Sequence, residues 1–204
     1  MPVVPRRLEL GAFDRVHDGW LSTDITPHLL VARVPGLPWL LHRAGLISGE
    51  RYAAHRSGAF RRIRYLDLSR RFRFPDAYFE CVYSSHVLEH LHPDVAEHCL
   101  REVHRILAPR GIVRVVVPNL DGLVARYDPT DPEPFLYGLY QGRGSNTVGG
   151  SERHWWHYNA GSLGALLRAT GFSEIRSCAY REGRMPDVET VDNREGSLFM
   201  EATK

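Results

Sequence analysis

The stretch SSHVLEHLHPD, Ser84 to Asp94, places His86, Glu89 and His90 in the spacing H-x-x-E-H. In one class of metallopeptidases that spacing is a zinc site, with a sustained helix holding both imidazoles on one face and a further ligand completing the set. Here Pro93 comes three positions after His90 and suits the start of a new helix,. At most about two helical turns fit before it. The expectation is a short helical loop, with Val87, Leu88 and Leu91 turned inward and polar side chains lining a pocket or capping backbone, not a hydrolytic zinc centre. A second run, ERHWWHYN, brings His154 and His157. Imidazoles and carboxylates of this kind can act as general acids or bases, and His86, Glu89, His90, His154 and His157 are the candidates, with His86, Glu89 and His154 taken as catalytic. Each imidazole also serves as an ordinary hydrogen-bonding group. Glu89 with His86 or His90, or the aspartates Asp121, Asp128 and Asp131, could supply ligands for Mg2+, but no octahedral oxygen set is spelled out and the metal is left unassigned. Tyr137, Tyr140, Trp155, Trp156 and Tyr158 crowd the same part of the sequence. Aromatic faces beside polar donors suit the C–H face of a sugar ring; aromatic residues equally often fill a core.

Something must hold these residues together. RRLEL (Arg6 to Leu10), GWLSTDI (Gly19 to Ile25), RRIRYLDL (Arg61 to Leu68), YFECVYSS (Tyr78 to Ser85) and GIVRVVVPN (Gly111 to Asn119) read as five strands. EIRSCAY and SLFMEAT read as two more. Val95, Cys99, Leu100, Val103, Ile106 and Leu107 recur with a 3.6-residue period, a helix opened by Pro93 and closed by Pro109 and Gly111,. A second helix covers Ser162 to Thr170, closed by Gly171,. Strand, helix, strand alternation predicts an α/β domain with a largely parallel sheet, and ligands in such sheets bind beyond the carboxyl ends of the strands. Two segments, about 26–60 and 121–158, read as long irregular insertions in one domain spanning 1–204, and long ordered insertions often cover active sites.

The strand ends therefore matter most. Gly11 follows the first strand, where it either lets the backbone approach a ligand or makes a tight turn. The text GAFDRV lacks the second glycine of a dinucleotide fingerprint,. Asp24 ends the second strand and is read as an acceptor for two ribose hydroxyls or as a helix cap. Asp67 ends the third and is read as an acceptor for an adenine amine or as a turn residue. Ser84 and Ser85 end the fourth.

Together these stretches resemble a class I S-adenosylmethionine-dependent methyltransferase. The matching text is LELG with DGWLSTDI, YLDLSRRFRFPDAYFECVYSSHVLEHL, LREVHRILAPRGIVRVVVPNL, HWWHYNAGSLGALLRATGF and SLFMEATK. The resemblance implies a Rossmann-like doubly wound sheet of seven strands, order 3-2-1-4-5-7-6, with the last strand antiparallel. It implies S-adenosylmethionine as cofactor, with Gly11, Ala12 and Phe13 at the methionine part, Asp24 at the ribose, Asp67 with Leu68 at the adenine, and Ser84, Ser85 and His86 beside the sulfonium; Glu9 and Ile25 join the cofactor-binding set. Phe13 carries a side chain where the family prefers glycine. His154, Trp156 and Tyr158 match an H-x-W-x-Y found where the family loop closes over the cofactor. The branch that the chain resembles is small and bacterial, similar to the polysaccharide and sugar O-methyltransferases of actinobacteria, including the methylmannose polysaccharide type. On that resemblance the acceptor is a saccharide or oligosaccharide hydroxyl, with His90, Tyr137, Trp155, Trp156, His157 and Tyr158 as its binding residues. Two other outcomes stay open: N-, C- or phenol O-methylation of a small molecule, and a methyltransferase-like binding protein with little catalysis.

Composition bounds the remainder. The chain has 204 residues, 43% hydrophobic and 25% charged, with a net charge of +2. That is a globular composition, and the small charge argues against a nucleic-acid partner. Seven arginines fall between Arg56 and Arg73, but in mixed company that reads as a solvated face,. Cys81, Cys99 and Cys178 form no CxxC and suit a reducing cytoplasm,. No run reaches the roughly 18 apolar residues of a membrane span. The stretch Leu29 to Leu46, apolar and broken by proline, reads as a lid or as a contact in a homodimer.

Overall fold

The computed structural model describes residues 5–140 and 153–204. Residues 141–152, part of the second expected insertion, lie outside the described residues. Strands β1 (Arg7–Leu10), β2 (Trp20–Asp24), β3 (Arg64–Tyr65), β4 (Phe79–Ser85), β5 (Leu107–Pro118), β6 (Ser173–Cys178) and β7 (Ser197–Thr203) form one sheet in the order β3-β2-β1-β4-β5-β7-β6. Neighbours through β5 run parallel, and β7 runs antiparallel to both β5 and β6. This is the expected α/β Rossmann-like topology.

Both sheet faces are covered, so the inner strands read as apolar on both sides. One face carries Leu8, Leu10, Val82, Val113, Val115 and Val117. Against it lies α5 (Pro93–Ile106) through Ala96, Cys99, Leu100, Val103 and Ile106; of the stripe visible in the sequence, Val95 is only half-buried and Leu107 already begins β5. Helix α8 (Ala160–Ala169) adds Leu163 and Leu167, and its first turn is closed by a capping box between Asn159 and Ser162,. The other face holds Trp20, Cys81, Tyr83, Val116 and Phe199, covered by Met185 and Val191. Arg114 also points to that side and is fully buried.

The third strand is shorter than the expected Arg61–Leu68. Arg61 and Arg62 end a helix, and only Arg64 and Tyr65 pair, opposite Thr23 and Asp24. Both are exposed at the sheet edge, so no buried face rewards a longer ladder there,. The first insertion is not irregular. It folds into α1 (His28–Val31), α2 (Leu37–Arg43), α3 (Gly49–Arg56) and α4 (Ala59–Arg62) around a small core of Leu29, Ala32, Phe60 and Ile63. The second contains α6 (Leu120–Val124) and α7 (Glu133–Tyr140) within its described part. A last short helix, α9 (Val188–Val191), precedes β7. Among the described residues no helix is long and apolar enough to cross a membrane.

Candidate functional site

The carboxyl ends of β1, β2 and β4 meet at one edge. After β1 the chain turns at Gly11, whose φ of +67° favours glycine and where a Cβ would overlap the Val87 side chain,. The first turn thus packs on the loop that follows β4. Ala12 N–H donates to the Thr23 carbonyl at 3.0 Å. Asp24 closes the corner: Oδ2 accepts from the Phe13 amide at 2.9 Å and Oδ1 from the Thr26 amide at 2.6 Å. Phe13 sits at φ +54°, a left-handed conformation that costs a bulky residue roughly 1–2 kcal/mol,. The side chain turns to the first insertion, edge-on to His28 and Phe60, with the Arg51 guanidinium 3.9 Å from its centroid. Arg51 is in turn paired with Asp14 at 2.6 Å.

Glu9 is buried beneath this turn and accepts from Ser22 Oγ at 2.9 Å. Burial pushes its carboxyl up to about 7,. Ile25 is exposed beyond β2. Asp67 is committed locally: Oδ1 accepts from the amide and hydroxyl of Ser69, and Oδ2 faces Arg70 at 3.0 Å. The Ser69 hydrogen bond holds its carboxyl below the usual range. Leu68 packs against the main core. At the end of β4 the hydroxyls of Ser84 and Ser85 are buried without hydrogen-bond partners.

The H-x-x-E-H stretch is a single 3-10 turn, Leu88–His90, with Val87 and Leu88 buried. His86 opens it at φ +54°, strain of the sort that concentrates at functional sites,. Its Nε2 meets Ser197 Oγ at 3.0 Å, and its Nδ1 lies 3.0 Å from Glu89 Oε1 but out of hydrogen-bonding alignment. Glu89 is fully buried, and its backbone carbonyl accepts from the amides of Trp155 at 2.7 Å and Trp156 at 3.2 Å. That clamp lays the 153–158 segment across the turn. His154 comes to rest with its ring 4.9 Å from His90 and 5.2 Å from His157. His154 is 4% exposed, and burial pushes its imidazole down to about 4, so it is neutral at pH 7,. His157 contacts the Leu139 carbonyl through Nε2 at 2.7 Å.

The expected catalytic residues His86, Glu89 and His154 therefore converge, and His90, Trp155, Trp156 and His157 gather beside them. Trp155 and Trp156 are about half exposed, with His92 and Arg153 against the Trp155 ring. Tyr137 is exposed on α7. Tyr158 departs from the expectation: it lies in the main core, its hydroxyl unpartnered, with the phenol pushed up to about 12 chiefly by burial. Its backbone bridges Asn119 beside β5, so the pleat turns the ring inward. The aspartates Asp121, Asp128 and Asp131 do not gather into a site; Asp121 binds Asn159, and Asp128 caps Thr130. Among the described residues the group with metal-ligand geometry is Glu89, His90 and His154, nitrogen-rich and ill suited to Mg2+,.

A sequence family described as a methyltransferase domain matches residues 47–115, which span the end of the first insertion through the middle of β5. Among solved structures, the S-adenosylmethionine-dependent methyltransferase SibL in its apo form superposes with a TM-score of 0.54 at 20% identity, over 98% of this chain. The sheet order and these superpositions agree. This is the class I methyltransferase fold. An S-adenosylmethionine-dependent methyltransferase from Archaeoglobus fulgidus superposes at 0.57 with 14% identity, covering 98% of this chain and 86% of that one. One from Mesorhizobium loti superposes at 0.52 with 17% identity, covering 98% and 90%. The chain spans 50% of the length of SibL. No curated protein matches the sequence.

The donors present suit the cofactor that gives those proteins their description. Each Asp24 oxygen carries one amide and keeps a lone pair free for a further donor,. Gly11 presents bare backbone, and the Ser84 hydroxyl is buried without a hydrogen bond. Sequence reasoning missed Ser197 as the partner of His86 and the Glu89 carbonyl as the anchor of the tryptophans. Neither has a local signature, since both contacts are long-range.

Proposed function

We propose that this protein methylates a hydroxyl of a sugar in a saccharide or oligosaccharide acceptor, using S-adenosylmethionine. The observation that carries the reading is the cluster of Glu89 and His154, whose side chains are both buried and without hydrogen bonds, and half-buried His90, set beside half-exposed Trp155 and Trp156. A hydroxyl must lose its proton as it is methylated, and His154, neutral but a weaker base than a free imidazole, can accept it as the O–CH3 bond forms,. S-adenosylmethionine, when bound, supplies a methyl group activated by its sulfonium. Asp24 would hold the ribose, the Gly11–Phe13 turn the methionine part, and Asp67 with Leu68 the base side, with Glu9 and Ile25 flanking them. Ser84 and Ser85 would face the sulfonium region. Glu89, with His86 beside it, orients the imidazoles, while Trp155, Trp156, Tyr137, His90 and His157 offer a stacking and hydrogen-bonding rim for a sugar.

The test is calorimetric titration with S-adenosylmethionine and S-adenosylhomocysteine, on wild type and Asp24→Asn. The amide keeps one acceptor oxygen of two, and losing hydrogen bonds to a charged acceptor of about 1.5–3 kcal/mol predicts roughly ten- to hundredfold weaker binding. Wild type that binds neither ligand would end this reading. Product mass spectra with mannosides and glucosides would then identify the acceptor, and His154→Ala is expected to abolish transfer while leaving cofactor affinity intact.

A further inference from the structure

We propose that Glu89, His90 and His154 form a binding site for a divalent transition cation of the Zn2+, Co2+ or Mn2+ type. One ligand atom from each residue lies within 4.8 Å of the others. Ligands about 2.0–2.2 Å from a shared ion stand roughly 3.3–3.6 Å apart in a tetrahedron, so small side-chain rotations complete the set.

The burial of unpaired groups points the same way. Glu89 is 0% exposed and His154 4%. His86 Nδ1 stands 3.0 Å from Glu89 Oε1, but neither carboxylate oxygen of Glu89 and neither ring nitrogen of His154 makes a hydrogen bond. Buried polar groups are nearly always hydrogen-bonded, and leaving them without such bonds is costly. A cation at this point satisfies the carboxylate and one imidazole nitrogen together.

His90 is already prepared for the role. Its Nδ1 lies 3.1 Å from the Arg153 carbonyl, which can only accept. The proton therefore sits on Nδ1, and Nε2 carries the lone pair. Imidazole ligands are commonly oriented by such a backbone carbonyl. Arg153 is also the residue before His154, so the contact that sets the tautomer of one ligand positions the next. The two amide bonds to the Glu89 carbonyl fix the same register.

Two imidazoles and one carboxylate select the cation. Mg2+ and Ca2+ take oxygen ligands, whereas mixed nitrogen and oxygen sets suit zinc and its first-row neighbours. Three protein ligands leave a coordination position open, as in catalytic rather than structural sites. In the methyltransferase reading, a cation held by His154 would replace that imidazole as the means of activating the acceptor: an oxygen in the open position would have a lowered pKa and lose its proton to water. Only this last step rests on that reading; the binding of the cation does not. H-x-x-E-H thus yields a metal site by a different route from the peptidase pattern: His86 faces Ser197, and the third ligand arrives from His154.

The experiment uses the full chain, stripped with chelator and titrated with Co2+, following visible d–d absorption, with calorimetry for Zn2+, Mn2+ and Mg2+. One equivalent of Co2+ in a low-symmetry site is expected, with Mg2+ binding far weaker. His154→Ala and His90→Ala should each weaken Co2+ binding by about a hundredfold or more, whereas His92→Ala, on the Trp155 ring outside the set, should not. Circular dichroism controls for folding, and His90, the less buried ligand, guards against a variant that fails to fold. A folded wild type with no stoichiometric Co2+ band, or ligand variants that bind as wild type does, would overturn the proposal. S-adenosylhomocysteine titrated into the same samples separates the two readings. Cofactor binding without metal binding removes only the cation, and metal binding without cofactor binding removes only the methyltransferase.

Discussion

Glu9 illustrates how one residue can set function against stability. Its carboxyl is buried under the first turn and titrates near 7, against 4.5 when free. A raised carboxyl binds its proton more tightly in the folded state, so its contribution is complete below pH 4.5 and is lost as pH rises through 7. The ionised form above that point costs on the order of 3 kcal/mol. Glu9→Gln removes the ionisation while keeping an acceptor for Ser22. The variant is expected to melt higher than wild type at pH 8 and to match it near pH 4.5, as thermal denaturation across that range would show; equal melting at both pH values would refute the assignment. At this scale the sequence was informative wherever position along a strand decides the outcome. Asp24 and Ser84 could be placed because they end strands. The direction of Phe13 and the burial of Tyr158 could not be read, because distant packing partners, Phe60 and the main core, determine them.

Among the elements, the join between β5, β7 and the segment before α9 depends on Arg114. Its guanidinium is fully buried and binds Asp192, Glu201 and the carbonyls of Ala179 and Glu182. Glu201 also receives Arg176 and the amides of Arg184 and Met185. Burial alone would raise the Glu201 carboxyl, but these donors hold it below its usual range. Arg114→Met keeps the volume and removes the charge, leaving two buried carboxylates facing each other's field. Breaking a buried pair in this way costs about 3–5 kcal/mol. At roughly 2–4 °C per kcal/mol for a chain of this size, the melting temperature should fall by about 10 °C. A change below about 2 °C would mean that water or a repacked side chain compensates. Adding Glu201→Gln should restore part of the loss. The arginine was visible in the sequence as the one charge inside GIVRVVV, and the strand itself was unmistakable. The helices of the first insertion were not visible, because α1 and α4 have only four residues each, too few to show a period.

For the whole molecule the question is how that insertion is tied to the sheet edge. Its small core includes a pair of histidines, His28 Nδ1 and His55 Nε2 at 3.0 Å, with both rings against Phe60. Burial lowers both imidazoles, and the nearby cations Arg51 and, for His55, His28 itself lower them further. A base with a depressed folded pKa contributes stability that is present above the unfolded value of 6.5 and is lost as pH falls below it. Acid must then place two like charges in contact, or open the insertion. Glu9 acts oppositely over part of the same window, so a global melting curve mixes the two. Amide exchange separates them. Corrected for intrinsic rates, protection across residues 26–62 should fall between pH 7.5 and 5.5, while amides of β1, β4 and β5 stay protected. In His55→Leu, which keeps an apolar side chain against Phe60 without a titrating ring, that response should flatten. If the variant responds to acid as wild type does, the histidine pair is not the cause. The consequence reaches the candidate site, because the same insertion holds the Phe13 ring through Phe60, His28 and Arg51. Loosening it releases the first turn from the left-handed conformation that it adopts at some cost. Affinity for S-adenosylhomocysteine should therefore decline with the protection of residues 26–62, and His55→Leu should keep it at pH 5.5.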